Sequence, residues 1–228
     1  MHRYRELRST VAQSPAKLCA RWLVSKPHLK IDERHLSHSF EGRRSPTTFE
    51  PTALPGIVRI VPTVHEDSRG FFLETWQARD FIDAGIDAEF VQENFSHSRK
   101  GTLRGLHYQI EQPQGRLVRV VQGAVYDVSV DLRKSSPHFG QWVGEILSAE
   151  NKHQLWVPPG FGHGFLVLSE TAGFEYNCTD YYAPEFDRSI RWDDPDIGID
   201  WPLTASEPLT LSDKDRAAQF LKDAEIYP

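Results

Sequence analysis

Two histidines stand among neighbours that suit chemistry better than packing. The run Leu103-Arg104-Gly105-Leu106-His107-Tyr108-Gln109 reads as a strand, and strict alternation puts Leu103, Gly105, His107 and Gln109 on one side. A His sharing a face with Gly and Gln is poorly explained by core packing. A buried imidazole needs a partner, and small neighbours leave room for a ligand. The competing reading is a structural His satisfied by backbone groups. An ordinary pKa near neutral suits an imidazole to general-base work. His163 follows a Pro-Gly turn in Pro158-Pro159-Gly160-Phe161-Gly162-His163-Gly164-Phe165. Phe174, Tyr176 and Cys178 share one face, which marks it as inward, and an inward Tyr is usually a core residue with one hydrogen bond. A solvated surface group is the plain reading for most of the 26 basic residues. Arg104 alternates away from His107, so a bulge, or a position just before the strand, is required to bring it to the same side. Ser212-x-x-Asp215 has the form of a capping box, with the carboxylate reaching back to the Ser backbone.

Side chains so far apart in sequence need a rigid frame. Short runs rich in Val, Ile, Phe and Tyr recur from Gly56 onward with Gly or Pro between them: 57–61, 70–75, 90–92, 103–109, 116–122, 124–132, 142–147, 154–157, 164–168, 174–182 and 189–192. Ten or so short strands separated by turn signals predict a sandwich or barrel. Ala124, Tyr126, Val128, Val130 and Leu132 alternate with Val125, Asp127, Ser129 and Asp131, which gives one apolar and one largely polar face. Residues 76–86 read as a short helix ended by Gly85. Residues 212–225 read as the clearest helix, with Phe220, Leu221 and Ala224 on its apolar side. No internal repeat or low-complexity tract interrupts the pattern.

Composition narrows the class further. A chain of 228 residues suits one all-β domain or two very small ones. Charged residues at 25% and aromatics at 11% exclude a mostly disordered or collagen-like chain. The net charge of −6 argues against non-specific nucleic-acid binding. Cys19 and Cys178 are too few for a disulfide framework or a Cys-rich zinc module. No apolar run approaches the roughly 20 residues of a membrane helix, and no secretory signal is evident. The expectation is a soluble, cytoplasmic protein of a reducing compartment, with no nucleic-acid or membrane partner. Residues 1–52 read as a basic extension outside the core, and 53–228 as the folded domain. The first 50 residues carry a net charge of +5 and the rest −11. The Arg-rich start faintly resembles an organelle transit peptide, a floppy extension is the plainer reading, and a mis-assigned start near Leu54 or Val58 is a third.

The stretch around His163 resembles the second conserved stretch of the cupin superfamily, small jelly-roll barrels, and Gly105-Leu106-His107 resembles the first. Metal-binding cupins usually carry His-x-His there. Here the second position is Gln109, and an amide oxygen is a weak ligand for the metals that imidazole suits. That departure argues against a metal, while Glu111 and His163 keep a metal-dependent cupin as an alternative. Six motifs in order then resemble the dTDP-4-dehydrorhamnose 3,5-epimerase family. They are Asp67-Ser68-Arg69-Gly70-Phe71-Phe72-Leu73-Glu74, Val91-Gln92-Glu93-Asn94-Phe95-Ser96, residues 103–109, Phe139-Gly140-Gln141-Trp142-Val143-Gly144, residues 155–165, and Leu211-Ser212-Asp213-Lys214-Asp215. The likeness runs from about Gly56 to about Leu221, and residues 1–52 have no counterpart in it.

The resemblance implies an all-β double-stranded β-helix, a jelly-roll or cupin barrel, with a few short helices including one at the C-terminus. It implies a homodimer that exchanges an N-terminal strand, and a dTDP-4-keto-6-deoxyhexose as substrate. The ketone acidifies the protons on carbons 3 and 5, so the substrate is its own electron sink and no cofactor is required. In that family His107 would be the base, Asp215 its orienting partner and Tyr176 the acid on the opposite face. Arg69 matches a phosphate-contacting Arg, and Arg104 a further candidate cation. Arg116 stands where Lys is common, and a planar fork aims its charge differently. Glu74, Gln92, Asn94, His163 and Lys214 match pocket-lining positions, and Asp187 stands where many members have Glu. Phe71 or Phe72 would offer a thymine-stacking face, while Tyr181 and Tyr182 read as packing residues. The alternatives are an epimerase acting at carbon 3 or carbon 5 alone, and a non-catalytic sugar-binding jelly roll.

Overall fold

The computed structural model describes residues 47–203 and 208–228, which fall within one unit, 44–228. Thirteen strands organise the described residues: β1 (Thr48–Pro51), β2 (Val58–Val61), β3 (Val64–Asp67), β4 (Gly70–Leu73), β5 (Gln92–Arg99), β6 (Leu103–Gln109), β7 (Arg116–Gln122), β8 (Ala124–Asp131), β9 (Trp142–Ser148), β10 (Gln154–Val157), β11 (Phe161–Val167), β12 (Thr171–Cys178) and β13 (Asp187–Ser189). One antiparallel sheet has the order β1-β2-β10-β7-β12-β5, a second has the order β13-β6-β11-β8-β9, and β3-β4 form a separate hairpin. The two sheets enclose a shared interior and make the jelly-roll barrel. Among the described residues no helix is long and apolar enough to cross a membrane.

Three apolar clusters hold the layers. Between the sheets, Val118, Val120, Leu155 and Phe174 of the first meet Val125, Phe161, Phe165 and Leu147 of the second. Burying each such side chain stabilises the fold by about 1.5–3 kcal/mol. On the outer face of the second sheet, Leu103, Leu106, Tyr108, Val128, Val130 and Leu166 are covered by Ile190, Ile197, Trp201 and Ile226. On the outer face of the first sheet, Ile60, Leu117 and Trp156 are covered by Phe81 and Ile86. The apolar side of β8 therefore faces outward under this cover. Its other side, Asp127, Ser129 and Asp131, points into the barrel and is fully buried.

Three expectations change. The strand β1 lies inside the stretch 1–52 read as an appendage, and it pairs with β2 along its length; residues 1–46, with the readings made of them, lie outside the described residues. The helix expected at 212–225 is a single turn, α2 (Asp213–Arg216), followed by a 3-10 turn at Leu221–Asp223; α1 (Ala78–Asp83) fits the expectation for 76–86. Tertiary hydrogen bonds capture the backbone that a longer C-terminal helix would use. The Arg191 amide donates to the Gln219 carbonyl at 2.9 Å, and the Leu221 amide donates to Asp194 Oδ2 at 2.6 Å. The third change is β5, which starts where the sequence signal stopped, at Gln92.

The strand β6 is bulged where the sequence requires it. His163 pairs with His107 and Phe165 with Arg104, so two residues of β6 oppose Gly164 alone. The slip turns Arg104 to the same side as His107. Gly105 has φ +131, and a Cβ there would lie 2.5 Å from the Gly164 Cα and 2.9 Å from the His163 carbonyl oxygen. Only glycine permits this approach of β6 to β11.

Candidate active site

The polar end of the barrel holds a cavity of about 270 Å3. His107, Arg104 and His163 line it from one sheet, and Asn94, Arg116 and Tyr176 from the other. A larger groove of about 860 Å3 lies elsewhere, beside Phe139, Trp142 and Leu221. Its lining includes Lys134, Asp196 and Lys222 but no imidazole or phenol to act as base or acid.

His107 Nε2 lies 2.5 Å from Asp215 Oδ1. Asp215 is almost fully buried, and its other oxygen accepts from Ser212 Oγ at 2.7 Å. The Gly105 amide donates to the same carboxylate. Burial pushes the Asp215 pKa up, but these hydrogen bonds outweigh it and hold the carboxyl below the usual range. Ser212 Oγ also accepts from the Asp215 amide at 3.1 Å. Only the Ser half of the expected capping box forms: the Asp215 amide caps on Ser212 Oγ, while its carboxylate turns to His107 and the Ser212 hydroxyl rather than to the Ser212 backbone. With Nε2–H directed at Asp215, the lone pair resides on Nδ1. Burial lowers the His107 pKa, Asp215 opposes it, and the charges of Lys214 and Arg116 add to the lowering.

Tyr176 reaches the cavity from β12, where its Cα partners are Asn94 and Val118. Burial raises its pKa against the opposing charge of Arg116, so the phenol keeps its proton near neutral pH. Arg116 Nη1 donates to the His107 carbonyl at 3.2 Å, and its Nε is buried without a protein partner. Arg104 Nε donates to Ser98 Oγ at 3.0 Å.

His163 has a partner that sequence reading missed. Its Nε2 lies 2.9 Å from both oxygens of Asp127, which is fully buried. The signal was present in the polar side of β8, but alternation does not tell which face turns inward. Gln109 is saturated by the loops around it: Nε2 donates to the carbonyls of Gln112 and Tyr181 at 2.7 and 3.2 Å, and Oε1 accepts from the Ala183 amide at 3.0 Å. With Gln109 so engaged, His163 held by Asp127 and Glu111 exposed on the turn beyond β6, these residues do not fit the donor set of a metal-binding cupin.

Gln92, Asp187 and Lys214 gather at the rim. Lys214 pairs with Asp187, which also accepts from Tyr182 Oη at 3.2 Å. Gln92 Oε1 accepts from the Tyr182 amide at 2.9 Å, and Gln92 Nε2 donates to Asn94 at 3.0 Å. Tyr181 and Tyr182, expected to pack, are instead exposed here. Arg69 and Glu74 are not brought to the cavity. Arg69 sits on the turn between β3 and β4, paired with Asp67 at 2.5 Å and 88% exposed. Glu74 directly follows that hairpin. Phe71 and Phe72 are exposed on it as well.

Comparison with known proteins bears on this arrangement. The sequence profile of the family described as dTDP-4-dehydrorhamnose 3,5-epimerase matches residues 51–223. A dTDP-4-dehydrorhamnose 3,5-epimerase of Pseudomonas aeruginosa is 55% identical over 177 residues, 77% of this chain and 97% of that protein. The crystal structure of dTDP-6-deoxy-D-glucose-3,5-epimerase from Legionella pneumophila in complex with dTDP-4-keto-L-rhamnose superimposes with a TM-score of 0.76 at 52% identity, over 78% of this chain and 95% of that one. A 3'-monoepimerase from Streptomyces bikiniensis in complex with dTDP-quinovose is 36% identical, with a TM-score of 0.71 over 76% of this chain and 87% of that one.

Proposed function

The chain belongs to the dTDP-4-dehydrorhamnose 3,5-epimerase family, and we propose that His107 and Tyr176 invert carbons 3 and 5 of dTDP-4-keto-6-deoxyglucose between them. The observation that carries this reading is their shared cavity. A base held on a buried carboxylate and a protonated phenol enter one space from opposite sheets. His107 Nδ1 removes the proton next to the ketone, and the electron pair moves into the enolate. Tyr176 returns a proton to the opposite face of the carbon. The Asp215 carboxylate stabilises the imidazolium that forms. Arg116, with its unpartnered Nε, and Arg104 supply positive charge to the enolate oxygen and the diphosphate. His163 and Asn94 contact the sugar, and Gln92, Asp187 and Lys214 guide the nucleotide at the rim. The exposed rings of Tyr181 and Tyr182 offer the base a stacking face there. No step needs a metal or an organic cofactor, because the ketone accepts the charge.

Incubation with the substrate in heavy water, followed by proton NMR, tests the function. Exchange and inversion at both carbons are expected. Change at one carbon alone would make the protein a monoepimerase, and no exchange at either would sink the proposal. The lowered His107 pKa sets a pH dependence. The base is active when neutral, so kcat/KM falls as pH drops through a midpoint below the ordinary His value of about 6.5. A midpoint at or above that value would contradict the burial of the base.

A dimer would account for Arg69 and Glu74. Phe95 (61% exposed), Phe72 (70%), Phe71, Trp76 and Val121 leave apolar surface on the hairpin and on the outer face of the first sheet. Patches of this kind mark contact surfaces. We propose that two copies pair through it, in a closed symmetric dimer, and that the hairpin brings Arg69 and Glu74 to the partner's cavity. Light scattering is expected to give twice the chain mass. Phe95→Lys is expected to yield monomers with kcat/KM lowered at least tenfold. A fully active monomer would refute the exchange.

A further inference from the structure

Residues 225–228 lie past the stretch that the family profile matches, and apart from the packing of Ile226 they have no part in the site. They run against the strand that carries His107. Tyr227 Oη donates to the Gln109 carbonyl at 2.6 Å, and Tyr108 Oη donates to the Glu225 carbonyl. The two rings lie 5.7 Å apart. Two hydroxyls thus cross between β6 and the terminal segment in opposite directions. The segment is anchored on its other side too. The Lys134 amide donates to the Tyr227 carbonyl at 3.1 Å, Ser135 Oγ donates to the Pro228 carbonyl at 3.2 Å, and Arg188 pairs with Glu225 at 2.8 Å. Ile226 is buried in the cluster that contains Leu103, Leu106 and Tyr108 of β6.

We propose that residues 225–228 form a strap that fixes the register of β6, and that Tyr227 is a positioning residue for the epimerisation. The proposal rests on the reading of His107 as the base. The bulge at Gly105 and Leu106 interrupts regular pairing with β11 immediately before His107. Beyond His107 the register with β11 ends, and the other edge of β6 is held by Asp187 and Arg188 of β13 and by the Ile110 amide, which donates to the Phe186 carbonyl at 3.0 Å. The strand is least regular where aim matters most. The Tyr227 hydroxyl grips the last carbonyl of β6, two residues after His107, and the Arg116 guanidinium holds the His107 carbonyl itself. A shift of about 1 Å in a reacting group costs about 10²-fold in rate, so even partial loosening is measurable. Burial pushes the Tyr227 pKa up to about 12, so the hydroxyl remains a donor throughout the working range.

Tyr227→Phe removes the hydroxyl and keeps the ring. Its kcat is expected to fall about 5- to 10-fold with KM within twofold, because the substrate still binds while the base is mis-aimed. Ser135→Ala cuts the far anchor at Pro228 without touching β6, and its kcat is expected to stay within twofold of the parent. If Tyr227→Phe does not fold, Tyr108→Phe breaks the other crossing bond and is read the same way. A Tyr227→Phe kcat within twofold of the parent, measured well below Tm, would overturn the proposal, as would loss of kcat in Ser135→Ala equal to that in Tyr227→Phe. His107→Ala separates the two readings. Retained turnover in that variant defeats the base assignment; an inactive His107→Ala beside a fully active Tyr227→Phe defeats the strap alone.

Discussion

Replacing His107 by Ala is expected to lower kcat by about 10³- to 10⁴-fold, the upper range for loss of a general base. Exchange of both sugar protons should disappear together if, as proposed, one imidazole serves both carbons. Binding of the nucleotide should survive, because the groups proposed to hold it, Arg104 and Arg116 in the cavity and Gln92, Asp187 and Lys214 at the rim, are untouched. The Kd for dTDP is expected to stay within about threefold of the parent value. Stability falls modestly. Without the imidazole the buried Asp215 carboxylate still accepts from Ser212 Oγ and from the Gly105 amide, so the loss is about 1–3 kcal/mol, that of one hydrogen bond to a charged group. Single-turnover NMR in heavy water, with a dTDP titration, separates the two effects. Near-normal turnover, or nucleotide binding lost in proportion to turnover, would remove His107 from the chemistry.

The strand register behind that expectation was partly legible. Alternation alone separated Arg104 from His107, and the conflict itself called for the bulge that the paired Gly105 and Gly164 accommodate. The strand β8 was visible because Ala124, Tyr126, Val128 and Val130 make one fully apolar face, and burial under the outer cover writes period two into the chain. The strand β5 was not. Its inward residues are Gln92, Asn94, Ser96 and Ser98, and a strand that lines a polar cavity lacks the apolar alternation that announces a strand. Function has erased its structural signature. The terminal helix failed for the opposite reason. Its apolar spacing was real, but Asp194 and the backbone beyond β13 compete for the amide and carbonyl groups that a longer helix would pair internally.

The site was legible in kind and less so in connection. A capping box and a catalytic carboxylate read as rivals at Asp215, because a motif assigns one job to a side chain that has two oxygens and a backbone amide. Asp127 stood on a polar face whose direction only the second sheet's outer cover decides. Arg69 and Glu74 match the motif but lie outside the cavity of their own chain. No distance within one chain brings them to it, and the dimer proposed above is the arrangement that would.

Tyr176→Phe distinguishes the two halves of the reaction. The ring stays, packed against Phe174 at 5.9 Å, so folding and binding should hold. His107 can still remove the proton, since its partner Asp215 sits on α2 and the burial that lowers its pKa does not depend on the phenol. The enolate then has no acid on its far face. Its only proton donor is the imidazolium that has just formed, and return from there restores the original configuration. In heavy water the imidazolium exchanges with solvent before it gives the hydrogen back. Label should therefore enter the unreacted substrate within about tenfold of the parent rate, while inversion falls by about 10²- to 10³-fold, in line with the loss of a general acid. The ratio of exchange to inversion is the quantity to measure. If both fall equally, the phenol is not the second proton donor and some other group on that face is. If inversion survives, Tyr176 is a wall of the cavity and the donor is water, in which case the raised phenol pKa reflects burial alone.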